Sequence, residues 1–328
     1  YEWFIDRIAE VSGFPEGVKH KTRQIEFARG NISYMITSKR KLLKLITDGI
    51  VDGWNDPRMP TIRGMRRRGF TPGSIKRFWD EAGVAKRENL LEYAKLESFL
   101  RDELNKIAQR RMAVLDPIKL VITNYPEGQV EMMDVPNNPE NADDGKRQVP
   151  FSGELYIERE DFMEDAPRKF FRLSVGKEVR LRCGYWVTCT DVVKDEDGNI
   201  VQLNCTYDPQ TRGGNNPPPD AEGKVRKVKG TLHWVSAEHA VDAEVRLYEH
   251  LFTQPKAESG ELMDNINVDS LKIVNAKIEP ALADAKPGDP IQFERLGYFT
   301  PDITTSAEKI VFNRTVTLKD SWAKMQGK

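Results

Sequence analysis

The 328-residue sequence predicts a multidomain α + β protein: a helical front followed by one or two β-barrels. Three observations predict it. Apolar residues recur at helical spacing up to about Ile107, with capping and breaking residues between the runs. After Arg111 the pattern switches to period two in short runs separated by Gly, Pro and Asn/Asp turns, the texture of barrels and sandwiches. The charge divides at the same place. Residues 1–111 carry 23 Lys+Arg against 15 Asp+Glu (+8), and the remainder carries 27 against 36 (−9), within a chain of net charge −1.

The front reads as follows. Residues 2–12 form a helix with Trp3, Phe4, Ile8 and Val11 on one side. Residues 24–27 and 32–36 are short extended segments around Arg29-Gly30. Ser38 caps a helix running to about Gly49, with Leu42, Leu43, Leu45 and Ile46 apolar. Residues 54–61 are a loop, since Pro57 and Pro60 forbid helix. A short helix, 62–68, stops at Gly69. Thr71-Pro72 opens the next as N-cap and first residue, Gly83 closes it, and Ile75, Phe78, Trp79 and Ala82 form its buried face. The longest helix is expected over 89–107, with Leu90, Tyr93, Leu100, Leu104 and Ile107 on one side.

The back is read as strands at 112–114, 119–123 and 153–157, with a polar loop at 137–146. A single half-buried strand is expected over 178–191, alternating Val179, Leu181, Cys183, Tyr185, Val187 and Cys189 with polar positions, so that Arg180 and Arg182 share a face. Asp197-Gly198-Asn199 turns it into a hairpin with 201–207. Residues 212–223 are a loop. Further strands fall at 230–235, 243–250, 291–293, 297–299 and 311–318.

Composition excludes several classes. The length fits two or three domains. No apolar run approaches the roughly 20 residues of a membrane span, and no secretory signal is visible. Cys183, Cys189 and Cys205 are an odd set without C-x-x-C spacing, which argues for a reducing compartment and against zinc or a disulfide framework. They read as buried, small apolar side chains. No metal site is expected. Tyr1-Glu2-Trp3-Phe4-Ile5 reads as the middle of a folded element, so the chain is expected to be part of a longer one.

The chemistry-bearing stretch is Ser38-Lys39-Arg40-Lys41. Cations are unfavourable in the first turn of a helix, where the dipole is positive, so three of them point to an anionic partner. Alone, the stretch reads more simply as a solvated basic helix start. The histidines His20, His233, His239 and His250 lack any nucleophile context, and His233 reads as a strand residue with a satisfied imidazole. Glu158, Glu160 and Asp161 read as a solvated surface run. Basic clusters recur at Arg63/Arg66/Arg67/Arg68, Arg110-Arg111, Arg168-Lys169-Phe170-Phe171-Arg172 and Arg180/Arg182. Cations with interleaved aromatics beside β-barrels favour RNA binding.

Ile36-Thr37-Ser38-Lys39-Arg40 resembles the KMSKS-type second signature of class I aminoacyl-tRNA synthetases. The loop 53–61 (GWNDPRMPT), 63–69 (RGMRRRG), 147–154 (RQVPFSGE), 233–236 (HWVS), 293–299 (FERLGYF) and 312–316 (FNRTV) are similar to the glutaminyl-tRNA synthetases, in their order and over essentially the whole chain. The resemblance implies the helical end of a class I catalytic domain followed by two anticodon-binding β-barrels. It implies residues 1–109 as the catalytic part and helical subdomain, 110–165 with 241–328 as a proximal barrel, and 166–240 as a distal barrel inserted in it. The HIGH-containing Rossmann half is not in this sequence, so the chain alone is expected to be inactive.

By the same resemblance the whole enzyme uses ATP with Mg2+ to activate glutamine and transfers it to tRNA(Gln), in the cytoplasm and as a monomer. Lys39 and Ser38 would be catalytic. Arg29, Thr37, Ser38, Lys39 and Arg40 would bind ATP. Arg110, Lys169, Arg172, Arg180 and Gln292 would contact the anticodon, and Lys86 and Glu92 the tRNA between anticodon and active site. Thr37 stands where the signature usually has Met, and Lys169 and Phe171 differ from the usual family types. Two alternatives share many of these features: a glutamyl-tRNA synthetase of the archaeal or eukaryotic kind, and a non-catalytic RNA-binding module. Met59 and the tail motifs favour glutamine.

Overall fold

The computed structural model describes residues 1–13 and 25–319; the expected roles of His20 and Gln24 lie outside them. The front holds α1 (Glu2–Val11), β1 (Gly30–Ile32), α2 (Lys39–Thr47), α3 (Ile62–Arg68), α4 (Pro72–Ala82), β2 (Asn89–Leu91) and α5 (Tyr93–Ile107). The capping logic holds for α3 and α4. Thr61 and Thr71 accept from Gly64 N–H and Ser74 N–H, and Gly69 ends α3 in the left-handed region at φ +97°.

Four front readings are corrected. Residues 25–27 form no strand. Residues 89–91 are not helical: they pair in parallel with β1, Gly30 against Asn89, so tertiary pairing overrides local helix propensity and α5 starts at Tyr93. Trp79 is 41% exposed, and the rest of its ring lies over Gly30, where a Cβ would fall 2.3 Å from the indole. Leu43, Leu90 and Ile107 are exposed as well, as are Trp3, Phe4, Ile8 and Val11 of α1, which buries no residue.

The back half is β3 (Gln109–Arg111), β4 (Ala113–Val114), β5 (Pro117–Ile122), β6 (Glu131–Pro136), β7 (Lys146–Phe151), β8 (Glu154–Glu158), β9 (Glu178–Leu181), β10 (Trp186–Lys194), β11 (Ile200–Asp208), β12 (Thr231–Leu232), β13 (Val235–Ser236), β14 (Val241–Tyr248), β15 (Leu271–Ile278), β16 (Ile291–Phe293), β17 (Gly297–Pro301) and β18 (Ile310–Thr317). Two seven-stranded sheets result. One runs β12-β9-β10-β11-β5-β8-β13, the other β3-β16-β17-β18-β14-β15-β4, and β6-β7 is a separate ribbon.

Both sheets curl into barrels for the same reason. β12 and β13 are opposite edges of the first sheet but only His233-Trp234 separates them; β3 and β4 are opposite edges of the second with only Met112 between. A chain advances at most about 3.6 Å per residue, so each pair of edges is held within roughly 10 Å. A core of Leu120, Leu155, Leu181, Val187, Leu203 and Trp234 fills the first barrel, and Val245, Ile278, Phe293, Phe299 and Phe312 fill the second. Helices α4 and α5 pack onto Tyr298 and Val316 of the second.

β3 and β4 share a sheet with β14–β18, so along the chain the strands of the first sheet fall between those of the second. The boundary at 165/166 does not follow the sheets. β5 pairs with β11 and β8 with β5, so residues 117–122 and 154–158 belong with 178–208. Residues 178–191 are two strands. The chain reverses at 182–185, where Cys183 adopts φ +52° and Gly184 N–H donates to Leu181 O at 2.9 Å. Arg182 therefore leaves the Arg180 face and pairs with Glu294 at 2.5 Å. Residues 230–235 are likewise split, and β6, β7 and β15 were not anticipated.

The charged run is also corrected. Glu158 and Asp161 are 4% and 0% exposed. Asp161 takes a bidentate pair from Arg295, both contacts at 2.6 Å, and Glu158 accepts from Leu115 and Asp116 N–H. These pairs clasp the two barrels together. His233 lies in the closing connection, 1% exposed, with Nδ1 3.2 Å from Arg295 and Nε2 3.5 Å from Glu158. Cys189 and Cys205 are buried as expected, and Cys183 is half-buried.

Candidate functional site

The Ser38 stretch is held from three directions. Ser33, fully buried, donates to Glu92 Oε2 at 3.2 Å and accepts from Tyr93 N–H at 2.9 Å, tying the end of β1 to the start of α5. Tyr34 takes a left-handed backbone (φ 60°), stacks on His250 at 4.2 Å and donates its N–H to Pro255 O at 2.9 Å. Ile36 and Leu42 then pack with Leu45 and Met59 against Leu251, Phe252 and Ala257, from the connection between β14 and β15.

This anchoring leaves Thr37, Lys39 and Arg40 exposed. Ser38 occupies the N-cap position, but its hydroxyl makes no cap bond, a departure from the expected role. Lys41 pairs with Glu258 at 3.4 Å, whereas Lys39 and Arg40 have no ion pair among the described residues. The first turn of α2 contains no acidic residue. Unbonded helix N–H groups beside two free cations are the chemistry that favours an anion. Arg29, also exposed, and Thr37 line one cavity of about 440 Å3 with Glu88, Asn89 and residues 255–259. Lys86 is exposed and lines a different opening beside Trp3 and Phe27, and Glu92 is half-buried as the N-cap of α5.

On the barrel side, Arg110 and Gln292 are register partners on β3 and β16. Arg110 is buried, donating to Ala108 O at 2.5 Å, Asn105 O at 2.8 Å and Asn105 Oδ1 at 3.0 Å. Gln292 is half-buried and lines an open cavity of about 600 Å3 with Arg77, Arg101, Asn105, Lys106 and Tyr298. Arg110 thus stands behind the wall that Asn105 presents to this cavity.

A second cluster forms at β9. Arg180 lies 5.3 Å over the Trp186 ring and donates to Asn216 Oδ1 at 2.9 Å; its Nε has no partner among the described residues. Arg226 lies 5.4 Å over the same ring. Gly230 threads between Phe171 and Arg180: a Cβ would meet Phe171 O at 2.3 Å, while Arg180 N–H donates to Gly230 O at 2.9 Å. This brings half-exposed Phe171, with Lys229 Nζ 4.5 Å over its ring, beside Arg180. Lys169 is exposed nearby in sequence, and Arg172 is half-exposed, donating to Glu160 O at 2.9 Å and lying 3.3 Å from Asp161. Lys229, Arg226 and Asn216 went unread in the sequence, although Lys224–Lys229 is a visible basic run.

The Arg63–Arg68 patch is divided. Arg63 and Arg66 face outward, but Arg68 is buried and Arg67 pairs with Asp302 at 2.8 Å. Burial pushes the Asp302 carboxyl up, yet hydrogen bonds from Arg67, Thr304 and Asn313 outweigh it and hold it well below the usual carboxylate range. Burial likewise lowers His250 below its ordinary value and pushes the Tyr93 phenol up to about 12.

A sequence model described as tRNA synthetases class I (E and Q), catalytic domain, matches residues 16–106. Two models of the anti-codon binding domain of the same class match 108–208 and 231–302. The chain is 53% identical over 332 residues to a glutamine–tRNA ligase of Rhodopirellula baltica, covering 100% of this chain and 53% of that protein. It is 49% identical over 330 residues to one of Vibrio vulnificus (100% and 57%) and 47% identical over 326 residues to one of Clostridium kluyveri (98% and 56%). The chain spans about half the length of these curated relatives. With catalytic and anticodon-binding models matched in succession along one sequence, the chain belongs to the class I tRNA synthetases of the E and Q group.

Proposed function

We propose that the chain serves in a glutamine–tRNA ligase, supplying the phosphate-holding loop of the adenylate site and the anticodon-reading barrels. The observation that carries this reading is the start of α2, where Lys39 and Arg40, exposed and without an ion pair among the described residues, follow Thr37-Ser38, and Thr37 shares a cavity with Arg29. The substrates are ATP, brought with Mg2+ on its phosphates, glutamine and tRNA(Gln). Among the described residues no group of three His, Cys, Asp or Glu side chains could hold a metal, so the chain's own contribution to phosphate charge is cationic. Lys39 stabilises negative charge as pyrophosphate departs, and Ser38 and the α2 N–H groups hold the phosphates in place. The name shared by the relatives supports glutamine over glutamate.

The RNA side uses two surfaces. Gln292, with Arg110 orienting Asn105 behind it, forms one pocket wall; Arg172, Arg180 and Lys169, with Phe171, form the other. Lys86 and Glu92 face the tRNA between these surfaces and the adenylate site. The protein acts as a cytoplasmic monomer. The test is Lys39→Ala in the whole ligase: ATP–pyrophosphate exchange falls by roughly 100-fold, the scale of losing one electrostatic contact to the transition state, and tRNA affinity is unchanged. An unaltered exchange rate removes Lys39 from the mechanism.

A further inference from the structure

Cys189 and Cys205 are direct register partners on β10 and β11. Both are 0% exposed inside the first barrel. Their backbone groups point away from each other. Cys189 N–H donates to Lys177 O and its carbonyl accepts from Gly176 N–H, while the Cys205 carbonyl accepts from Thr123 N–H. They are therefore a non-hydrogen-bonded antiparallel pair, in which Cα atoms lie about 4.5 Å apart and side chains approach most closely. Disulfides span Cα separations of about 4.4–6.8 Å, so this pair sits at the short end of the bondable range.

Two further features set the pair apart from ordinary core contacts. The register slips between Cys189 and Asp191, so the ladder is already relaxed beside the thiols. Cys189 Sγ also lies 3.5 Å from Asp191 O at that slip, and the neighbouring thiols shift each other, Cys189 below its ordinary value and Cys205 above it. Cys183, the remaining cysteine, lies in the 182–185 reversal on another element.

We propose that Cys189 and Cys205 are an oxidisable dithiol, which a peroxide converts to a cross-strand disulfide. The Cys189 thiolate attacks one peroxide oxygen; the O–O bond breaks, and the departing hydroxide takes up the proton Cys189 released, giving water and a sulfenic acid. The Cys205 sulfur then displaces the sulfenic oxygen. The S–S bond forms, the S–O bond breaks, and the Cys205 proton leaves with the oxygen as a second water. Two thiols are oxidised and one peroxide is reduced. A dithiol reverses the bond by thiol–disulfide exchange. It ties β11 to the strand whose Trp186 carries Arg180 and Arg226. The inference does not depend on the ligase reading.

The experiment treats the full chain with hydrogen peroxide under native conditions, then quenches, denatures, alkylates and maps peptides by mass. Free thiols fall from three to one, the survivor is Cys183, and a 189–205 cross-linked peptide appears that dithiothreitol reverses. Cys183→Ala keeps the cross-link, and Cys189→Ala abolishes it. Mapping the unmutated chain decides the matter even where a variant fails to fold. Three alkylated cysteines after peroxide, consumption of Cys183 with the pair left free, or sulfinic acid on either partner without a cross-link overturns the proposal.

Discussion

Asp302→Ala severs the junction between α3 and the second barrel. The carboxylate is 0% exposed. It accepts from Arg67 Nε at 2.8 Å and Nη2 at 3.0 Å, from Thr304 N–H at 2.9 Å and its hydroxyl at 2.7 Å, and from Asn313 Nδ2, with Arg246 Nη1 3.5 Å away. Removing it leaves two guanidinium groups facing each other in a largely dry site. Breaking a buried pair from one side costs about 3–5 kcal/mol. With an m-value of about 2 kcal/mol/M, the urea midpoint of the transition involving this barrel falls by about 1.5–2.5 M. The pH arm sharpens the test. Because the folded carboxyl titrates below its unfolded value of 3.8, its contribution is complete above that value and is lost as pH falls towards the folded one. In that window wild-type stability drops by up to about 1.4 kcal/mol per pH unit from this group, and Asp302→Asn, which keeps the shape without the charge, removes that slope. Tryptophan fluorescence in urea at several pH values from about 2 to about 5 measures both. A loss under about 1 kcal/mol for Asp302→Ala, or an unchanged acid slope for Asp302→Asn, refutes the reasoning.

Arg180→Ala removes the cation over Trp186 and weakens binding of a tRNA anticodon stem–loop about tenfold by fluorescence anisotropy, with the circular dichroism spectrum unchanged; equal affinity excludes the role. Gly69→Ala places a methyl at positive φ, 2.4 Å from Thr315 Oγ1, and lowers stability by about 2 kcal/mol or more in thermal unfolding, against a null expectation of no shift. His250 is held below 6.5 mainly by burial, so its neutral form stabilises the fold above that pH and the contribution is lost as pH falls through the folded value. His250→Gln flattens the decline in stability below pH 6.5; a slope identical to wild type shows that His250 does not titrate in the transition.

The helices were legible because their punctuation is local: Thr61 with Gly69, and Thr71-Pro72 with Gly83, mark α3 and α4 at both ends. The hairpin β10–β11 was legible for the same reason, through Asp197-Gly198-Asn199. The misreadings arise where a distant partner decides. Residues 89–91 continue a helical pattern and become a strand only because β1 lies alongside. Residues 178–191 alternate without a break across a reversal that needs only Gly184 and one residue of positive φ. Division of β5 and β8 between barrels depends on pairing with β11, some eighty residues away in sequence for β5, which no local signal reports. The Ser38 stretch was found in the sequence, but its support from Tyr34, His250 and residues 251–257 required the fold.

Arginine illustrates why a charge count points in the right direction and still misplaces the site. Arg67, Arg147 and Arg295 have carboxylate partners at 0–1% exposure: Asp302, Glu279 and Asp161. Such an arginine already has its anion, and exchanging it for a phosphate would strand a buried carboxylate at a cost of several kcal/mol (about 3–5). These residues clasp α3 to the second barrel and the two barrels to each other. Arg180 and Lys229 have aromatic rings and an amide as neighbours instead. A ring orients a cation without neutralising it, so the charge remains available to an anion while the side-chain entropy of holding it has largely been lost already. Lys39 and Arg40 reach the same condition by another route, through a helix N-terminus that repels them until an anion arrives. What surrounds a cation therefore decides how free its charge is: buried carboxylates commit it to the scaffold, as Asp161 does in part for Arg172, and rings or helix N-termini leave it for an anion.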